Sequence, residues 1–195
     1  MNPASTRIPT LVTKRLVMRP PSVGDLPDLV ALFGDSEVTH FVLHGKTMPP
    51  RQVAHMLEGI LTEARHGSLH PAWIPGVPGW LTIVRPDTQE FVGLGTLRML
   101  APDLVAAIGG CPELAIELGY ILVRELWGQG FATEIAQGLL DYGIKLAGPE
   151  HVIAVADVGN AASHRVLAKV GFIQRKEFEY RDMRMNYWTL RSDSD

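Results

Sequence analysis

The chain has 195 residues, 46% apolar and 20% charged, and its 18 basic and 21 acidic side chains leave a net charge of −3. Such a composition excludes collagen-like, mucin-like and wholly disordered chains, and its mild acidity argues against general nucleic-acid binding. Cys111 is the sole cysteine, no apolar run nears the roughly 20 residues that span a bilayer, and the N-terminus lacks a signal-peptide stretch, so a cytoplasmic protein without membrane attachment is expected.

One domain over 1–195 suits this length, with fraying expected at about 1–12 and 191–195. Leu16 to Arg19 reads as a short strand stopped by Pro20 and Pro21. Ser22 and Asp25 have the spacing of a capping box, which predicts a helix to about Phe33. A second helix is predicted from Arg51, because Val53, Met56, Leu57, Ile60, Leu61 and Ala64 recur at helical spacing. Prolines and glycines make 67–79 a loop, with Trp73 inside it. Trp80 to Arg85 and Phe91 to Leu100 then read as a hairpin around Pro86 and Asp87, and 101–112 as a connection.

The second half is more informative. Glu113 to Val123 reads as a long strand, with Leu114, Ile116, Leu118, Tyr120 and Leu122 on one face and Ala115, Glu117, Gly119, Ile121 and Val123 on the other. A loop over 124–130 leads to a helix whose apolar stripe includes Ala132, Ile135, Ala136, Leu139 and Leu140, ended by Gly148 and Pro149. His151 to Ala156 is a β-branched strand, and Asn160 is a good N-cap for a helix ending near Gly171. Phe172 to Tyr180 and Met183 to Leu190 close the chain as an antiparallel pair. Only the strand–helix–strand unit from Glu113 to Ala156 demands a parallel crossover. The expected fold is a mixed α/β (α+β) sheet, mostly antiparallel, of about seven strands with helices on both faces.

The run Trp127-Gly128-Gln129-Gly130-Phe131-Ala132 carries the strongest chemistry. Glycines let a backbone take positive φ and approach a ligand, and a helix N-terminus offers unpaired N–H groups with positive dipole character. Together they can cradle phosphate, although a plain connecting turn is the simpler alternative. No P-loop lysine follows. A dinucleotide site fits poorly, since Thr133 replaces the last glycine and Asp157 lies 29 residues beyond Gly128 rather than about 20.

Four segments in order, Glu117 to Leu122, Trp127 to Glu134, Asn160 to Ser163 and Lys169 to Phe172, resemble the GNAT superfamily of acetyl-CoA-dependent N-acetyltransferases. With Thr13 to Pro20 and Asp182 to Trp188, the chain is most similar to the bacterial ribosomal-protein N-terminal-amine acetyltransferases. The resemblance implies a splayed parallel strand pair that receives CoA, with the diphosphate on the amides of Gly128, Gln129, Gly130, Phe131, Ala132 and Thr133. It implies pantetheine pairing with backbone near Leu122 and Val123, and contact with Asn160 and Ser163. Arg124, at the loop mouth, is a phosphate candidate by location. The implied reaction is direct attack by a primary amine on acetyl-CoA, without metal, by a monomer or homodimer. The implied acceptor is a protein N-terminal α-amine; a small amine, an aminoglycoside and a non-catalytic acyl-CoA-binding module are the alternatives.

Two positions depart from the broad pattern. Trp127 stands where glutamine or arginine is usual, and Leu167 where a tyrosine acid is usual, which leaves Ser163 as the candidate proton donor. Glu117 is the candidate base, with a plain ion pair or solvated strand residue as its alternative. A bulge in its strand could re-aim it. Asn160 could be only a cap, and Ser163 only a small helix residue. Glu58, Glu63 and Trp73 are weaker candidates for an acceptor pocket. The seven histidines show no metal spacing, and Cys111 lacks a local activating base, so it reads as structural.

Overall fold

The computed structural model describes residues 8–43, 45–66, 76–112 and 114–190, the side chains of 64–66 excepted. In it β1 (Leu11–Val12) and β2 (Val17–Arg19) lead to α1 (Leu26–Gly34), α2 (Ser36–Thr39) and α3 (Pro50–His66). The hairpin β3 (Gly79–Val84) and β4 (Phe91–Met99) follows, then α4 (Pro102–Ile108) and β5 (Ile116–Leu122). After α5 (Phe131–Ala147) come β6 (Val152–Asp157), α6 (Ala161–Lys169), β7 (Phe172–Tyr180) and β8 (Met183–Leu190). The strands form one sheet of eight in the order β1-β2-β3-β4-β5-β6-β8-β7. Among the described residues β5–β6 is the parallel pair, with α5 as its crossover, as the sequence requires.

The alternation read in β5 assigns its two faces. Ile116, Leu118 and Leu122 pack with Ile135, Ala136, Leu139 and Leu140 of α5. Ile121 and Val123 face the other way, onto the cluster of Leu29, Leu32, Phe33, Val53 and Leu57 from α1 and α3. Helix α4 covers the far end of that second face, where Leu104 and Ile108 meet Ala115, Ile153 and Tyr187. Each sheet face thereby buries its apolar row, the main favourable term in such a layered fold.

The sequence reading missed three elements. β1 is two residues long, too short to show a period, and pairs Leu11 with Met18 and Val12 with Val17. α2 is a single turn, held by the Asp35 carboxylate accepting from the Glu37 amide at 2.9 Å. α4 lies in the segment read as a connection, yet Pro102 at its start and the Leu104/Ile108 spacing carried the helical signal. The capping relation of Ser22 and Asp25 is present, the Ser22 amide donating to the Asp25 carboxylate at 2.8 Å. Asp25 also accepts from Arg19 and Thr82, tying the start of α1 to β2 and β3.

Candidate active site

β5 and β6 are in register over Ile116↔Val152 and Glu117↔Ile153 and no further, although β5 continues to Leu122 and β6 to Asp157. β5 remains paired along its whole length with β4, and β6 with β8. The two strands therefore part, and a slot opens between them. It belongs to a cleft of about 1280 Å³ that is walled by Leu118 to Ile121 of β5, Val155 to Asp157 of β6, Asn160 just before α6, and Ser163 and Leu167 within it.

The glycine loop lies beyond the C-terminal end of β5, the end away from the rungs. Gly128 has φ 75° and Gly130 φ 79°, the left-handed region that favours glycine. Gly130 is the N-cap of α5 and offers no side chain to its first turn, so the amides of Phe131, Ala132 and Thr133 have no side-chain cap. A Cβ at Gly128 would meet no atom within 4 Å, which leaves the loop open on that side. These residues fit an anionic diphosphate, as the sequence implies.

Neighbouring groups refine that picture. The Leu122 carbonyl accepts from the Trp127 indole Nε1 at 3.1 Å, and the Val123 amide donates to the Val92 carbonyl at 3.1 Å. The Leu122 carbonyl thus keeps one lone pair for further backbone pairing, whereas the Val123 amide is already engaged. Arg124 is drawn aside by Asp35 at 3.3 Å and remains half-exposed.

Asn160 caps α6, its Oδ1 accepting from the Ser163 amide at 3.0 Å, and also lines the cleft. The two roles read for it are geometrically compatible. The structure sets Tyr120 close to Ser163: burial pushes the phenol up to about 12, and the nearby Ser163 hydroxyl works in the opposite direction. The Tyr120 hydroxyl is nonetheless buried without a hydrogen bond of good geometry. Tyr120 is a cleft residue that the sequence reading left among the apolar face of its strand. A hydroxyl in an otherwise aliphatic row was the available signal.

At the closed end of the slot stands Glu117, 8% exposed. It lies directly across from Arg98, whose Nε donates to Oε2 at 3.0 Å and whose Nη2 is 2.9 Å from the same oxygen. The ion pair read as the alternative to a base is thus present. β5 is in unbroken register with β4 from Met99↔Ile116 to Gly93↔Leu122, so no bulge re-aims the carboxylate. Trp80 lies under Arg98, 5.7 Å from the guanidinium carbon to the ring centroid.

Phe41, Met48, Met56, Tyr180 and Met183 also line the cleft. Glu58 is not part of it: its side chain is 79% exposed, with His55 at 3.9 Å. Glu63 is likewise exposed, and Trp73 lies outside the described residues. Burial raises the Cys111 thiol, and Cys111 is absent from the lining. His70 is outside the described residues, and no group of three or more potential metal ligands occurs among those described.

A family model described as acetyltransferase (GNAT) domain matches residues 15–173. The uncharacterized N-acetyltransferase YoaA of Bacillus subtilis is 29% identical over 166 residues, 84% of this chain and 82% of its own length. The uncharacterized N-acetyltransferase p20 of Bacillus licheniformis is 27% identical over 173 residues, 89% of this chain and 86% of its own. A GNAT-family acetyltransferase from Bacillus anthracis shares the fold with a TM-score of 0.70 at 17% identity, over 93% of this chain and 98% of that one. A RimL ribosomal L7/L12 α-N-protein acetyltransferase, solved in complex with coenzyme A, gives 0.64 at 16% identity, over 96% and 99%.

Proposed function

Because the chain belongs to the GNAT acetyltransferase family and is an acyltransferase, we propose that it carries the acetyl group of acetyl-CoA to the α-amine of a protein N-terminus. The observation that carries this reading is the slot between β5 and β6, which opens beyond Glu117 along β5, the strand that runs on into the glycine loop. Acetyl-CoA, when bound, supplies the acetyl group as a thioester. The amides from Gly128 to Thr133 would hold its diphosphate, and the slot edge at Leu122 and Asn160 its amide-bearing arm.

The chain's own work is then proton management. An amine must lose a proton before it can act as a nucleophile, and Glu117 presents Oε1 for this while Arg98 holds Oε2. At the departing side, Ser163 Oγ is the proton source, with the Tyr120 hydroxyl behind it. With Cys111 outside the cleft, no protein nucleophile is needed.

The wall chemistry favours an N-terminus over a polycationic drug. Lys46, Arg98 and Arg181 line the cleft against two carboxylates, Glu117 and Asp157, and Glu117 is already matched by Arg98. Arg181 is matched in turn by Asp103 at 2.8 Å. A multiply charged aminoglycoside would find no acidic wall. Fold neighbours such as a ribosomal-protein-S5-alanine acetyltransferase from Vibrio fischeri support the same choice. A cytoplasmic setting, as a monomer or homodimer, completes the proposal and suits a chain with one reduced cysteine.

The test is incubation with acetyl-CoA and three acceptor classes: short peptides with free N-termini, small primary amines, and aminoglycosides. Mass spectrometry should show acetylated peptide α-amines. Acetylated aminoglycoside with unmodified peptides would overturn the acceptor, and CoA binding with no acetylated product of any class would support a non-catalytic module.

A further inference from the structure

The glycine loop is held from behind by the N-terminal segment, which no reading of the loop alone anticipates. Arg15 donates from Nη1 to the Gln129 carbonyl at 3.1 Å and from Nε to Glu134 Oε2 at 2.6 Å. The Arg15 amide donates to Glu134 Oε1 at 2.7 Å, and the Thr13 hydroxyl reaches that oxygen at 2.6 Å. The guanidinium also stacks on Phe131, 4.2 Å from the ring centroid, and an added Cβ at Gly130 would lie 3.6 Å from Arg15 Nη2. One planar side chain thus spans the loop, the first helical residue and the first turn of α5.

Resting on the functional reading above, we propose that Arg15 is a positioning residue for the cosubstrate's diphosphate, acting through the peptide between Gln129 and Gly130. In a trans peptide the C=O and the following N–H point in opposite directions. Fixing the Gln129 oxygen on Arg15 therefore turns the Gly130 N–H to the opposite side of the loop. The Gln129 side chain braces the same unit, its Nε2 donating to the Glu125 carbonyl at 2.9 Å. This peptide is anchored before any anion arrives, so the cost of ordering it is met in the folded chain.

The clasp also removes a local conflict. Glu134 sits in the first turn of α5, where a free carboxylate would repel an incoming phosphate. Burial opposes its charge, but the hydrogen bonds from Thr13 and from the Arg15 side chain and amide outweigh that, and its carboxyl stays below the usual range. Arg15 neutralises this charge while using it as an anchor. A lysine could neutralise Glu134, but it lacks the planar fork needed to reach Glu134 and the Gln129 carbonyl together.

The experiment compares wild type with Arg15→Gln and Arg15→Lys by calorimetry with coenzyme A, by the Gly130 amide resonance, and by rate with S-acetylpantetheine, which has no diphosphate. Both variants should bind coenzyme A about tenfold more weakly, the scale of losing one charge-assisted hydrogen bond. Both should shift the Gly130 amide and keep their wild-type rate with S-acetylpantetheine. Wild-type affinity in Arg15→Gln would show the clasp to be a staple without a role in binding, and full recovery in Arg15→Lys would reduce Arg15 to a charge; either overturns the proposal. An equal loss with S-acetylpantetheine would place the damage in the fold and overturn it too. If wild type itself fails to bind coenzyme A, the functional reading falls, an outcome distinct from equal binding by wild type and variant.

Discussion

Arg98 places two nitrogens on one oxygen of Glu117 and leaves the other oxygen without a protein partner among the described residues. A residue that served only as half of an ion pair could share both oxygens, as Asp25 does by meeting Arg19 Nη1 with Oδ2 and Nη2 with Oδ1. Glu117 instead meets Arg98 through Oε2 alone, and it lines the cleft. Glu117→Gln should lower kcat by about 10²-fold, the lower end for loss of a general base, with little change in KM for acetyl-CoA. Raising the pH should recover part of the loss, because more of the acceptor is then free amine. A pH–rate profile superimposable on wild type would remove Glu117 from the chemistry.

The glycine loop separates backbone from side-chain effects. Gly128→Val meets no atom near the new Cβ, so its whole cost is the positive φ. That cost is about 1–2 kcal/mol, enough to weaken coenzyme A binding by about tenfold. Gln129→Ala removes only an exposed brace to the Glu125 carbonyl and should bind within about threefold of wild type. Equal calorimetric affinities for the two variants would contradict a backbone cradle.

Acetyl transfer without a covalent enzyme intermediate predicts that Cys111 is dispensable. Burial holds its thiol above the ordinary range and so away from the reactive thiolate. Cys111→Ser should keep most of its activity, and intact-protein mass spectrometry during turnover should show no acetylated cysteine. A kinetically competent acetyl-thioester on Cys111 would refute direct transfer.

Tyr120 and Tyr187 are both pushed up to about 12, each chiefly by burial. A phenol whose folded value exceeds its unfolded value of about 10 keeps its proton longer in the folded chain. Its contribution to stability is therefore complete below about pH 10 and is lost as the pH rises towards 12. Tm measured from pH 8 upward should be level at first and then fall across this window. Tyr120→Phe and Tyr187→Phe should each flatten the fall; an unchanged slope in both would locate the alkaline sensitivity elsewhere.

The sequence reading succeeded where period and punctuation agree. The alternation of β5, the stripe of α5 and the Asn160 cap are local properties and are found, although β5 begins at Ile116 rather than Glu113 and leaves Leu114 exposed before it. Leu11–Val12 and Ser36–Thr39 were missed because two and four residues carry no period. The site divides in the same way. Gly128 and Gly130 were legible because their backbone demand is written in the residue type. Arg98 beside Glu117, Tyr120 beside Ser163 and Arg15 behind Gln129 were not, since each pairing depends on strand register or helix docking between distant segments. Arg15 and Gln129 are 114 positions apart, and nothing local to either announces the other.

The short seam between β5 and β6 has a mechanical consequence. Two registers join a leaf of five strands, β1 to β5, to a leaf of three, β6, β8 and β7. Helix α5 acts as the spine, since its apolar stripe packs with residues of both leaves, among them Ile116 and Ala154. The pairings on either side of it, β4–β5 and β6–β8, are longer, so in the middle of the sheet this line is where the architecture yields first. Widening the slot to admit a bulkier acyl chain would act on that same line. Donor scope and the cohesion of the two leaves are therefore set against each other, and an enlarged slot should be accompanied by packing added along α5.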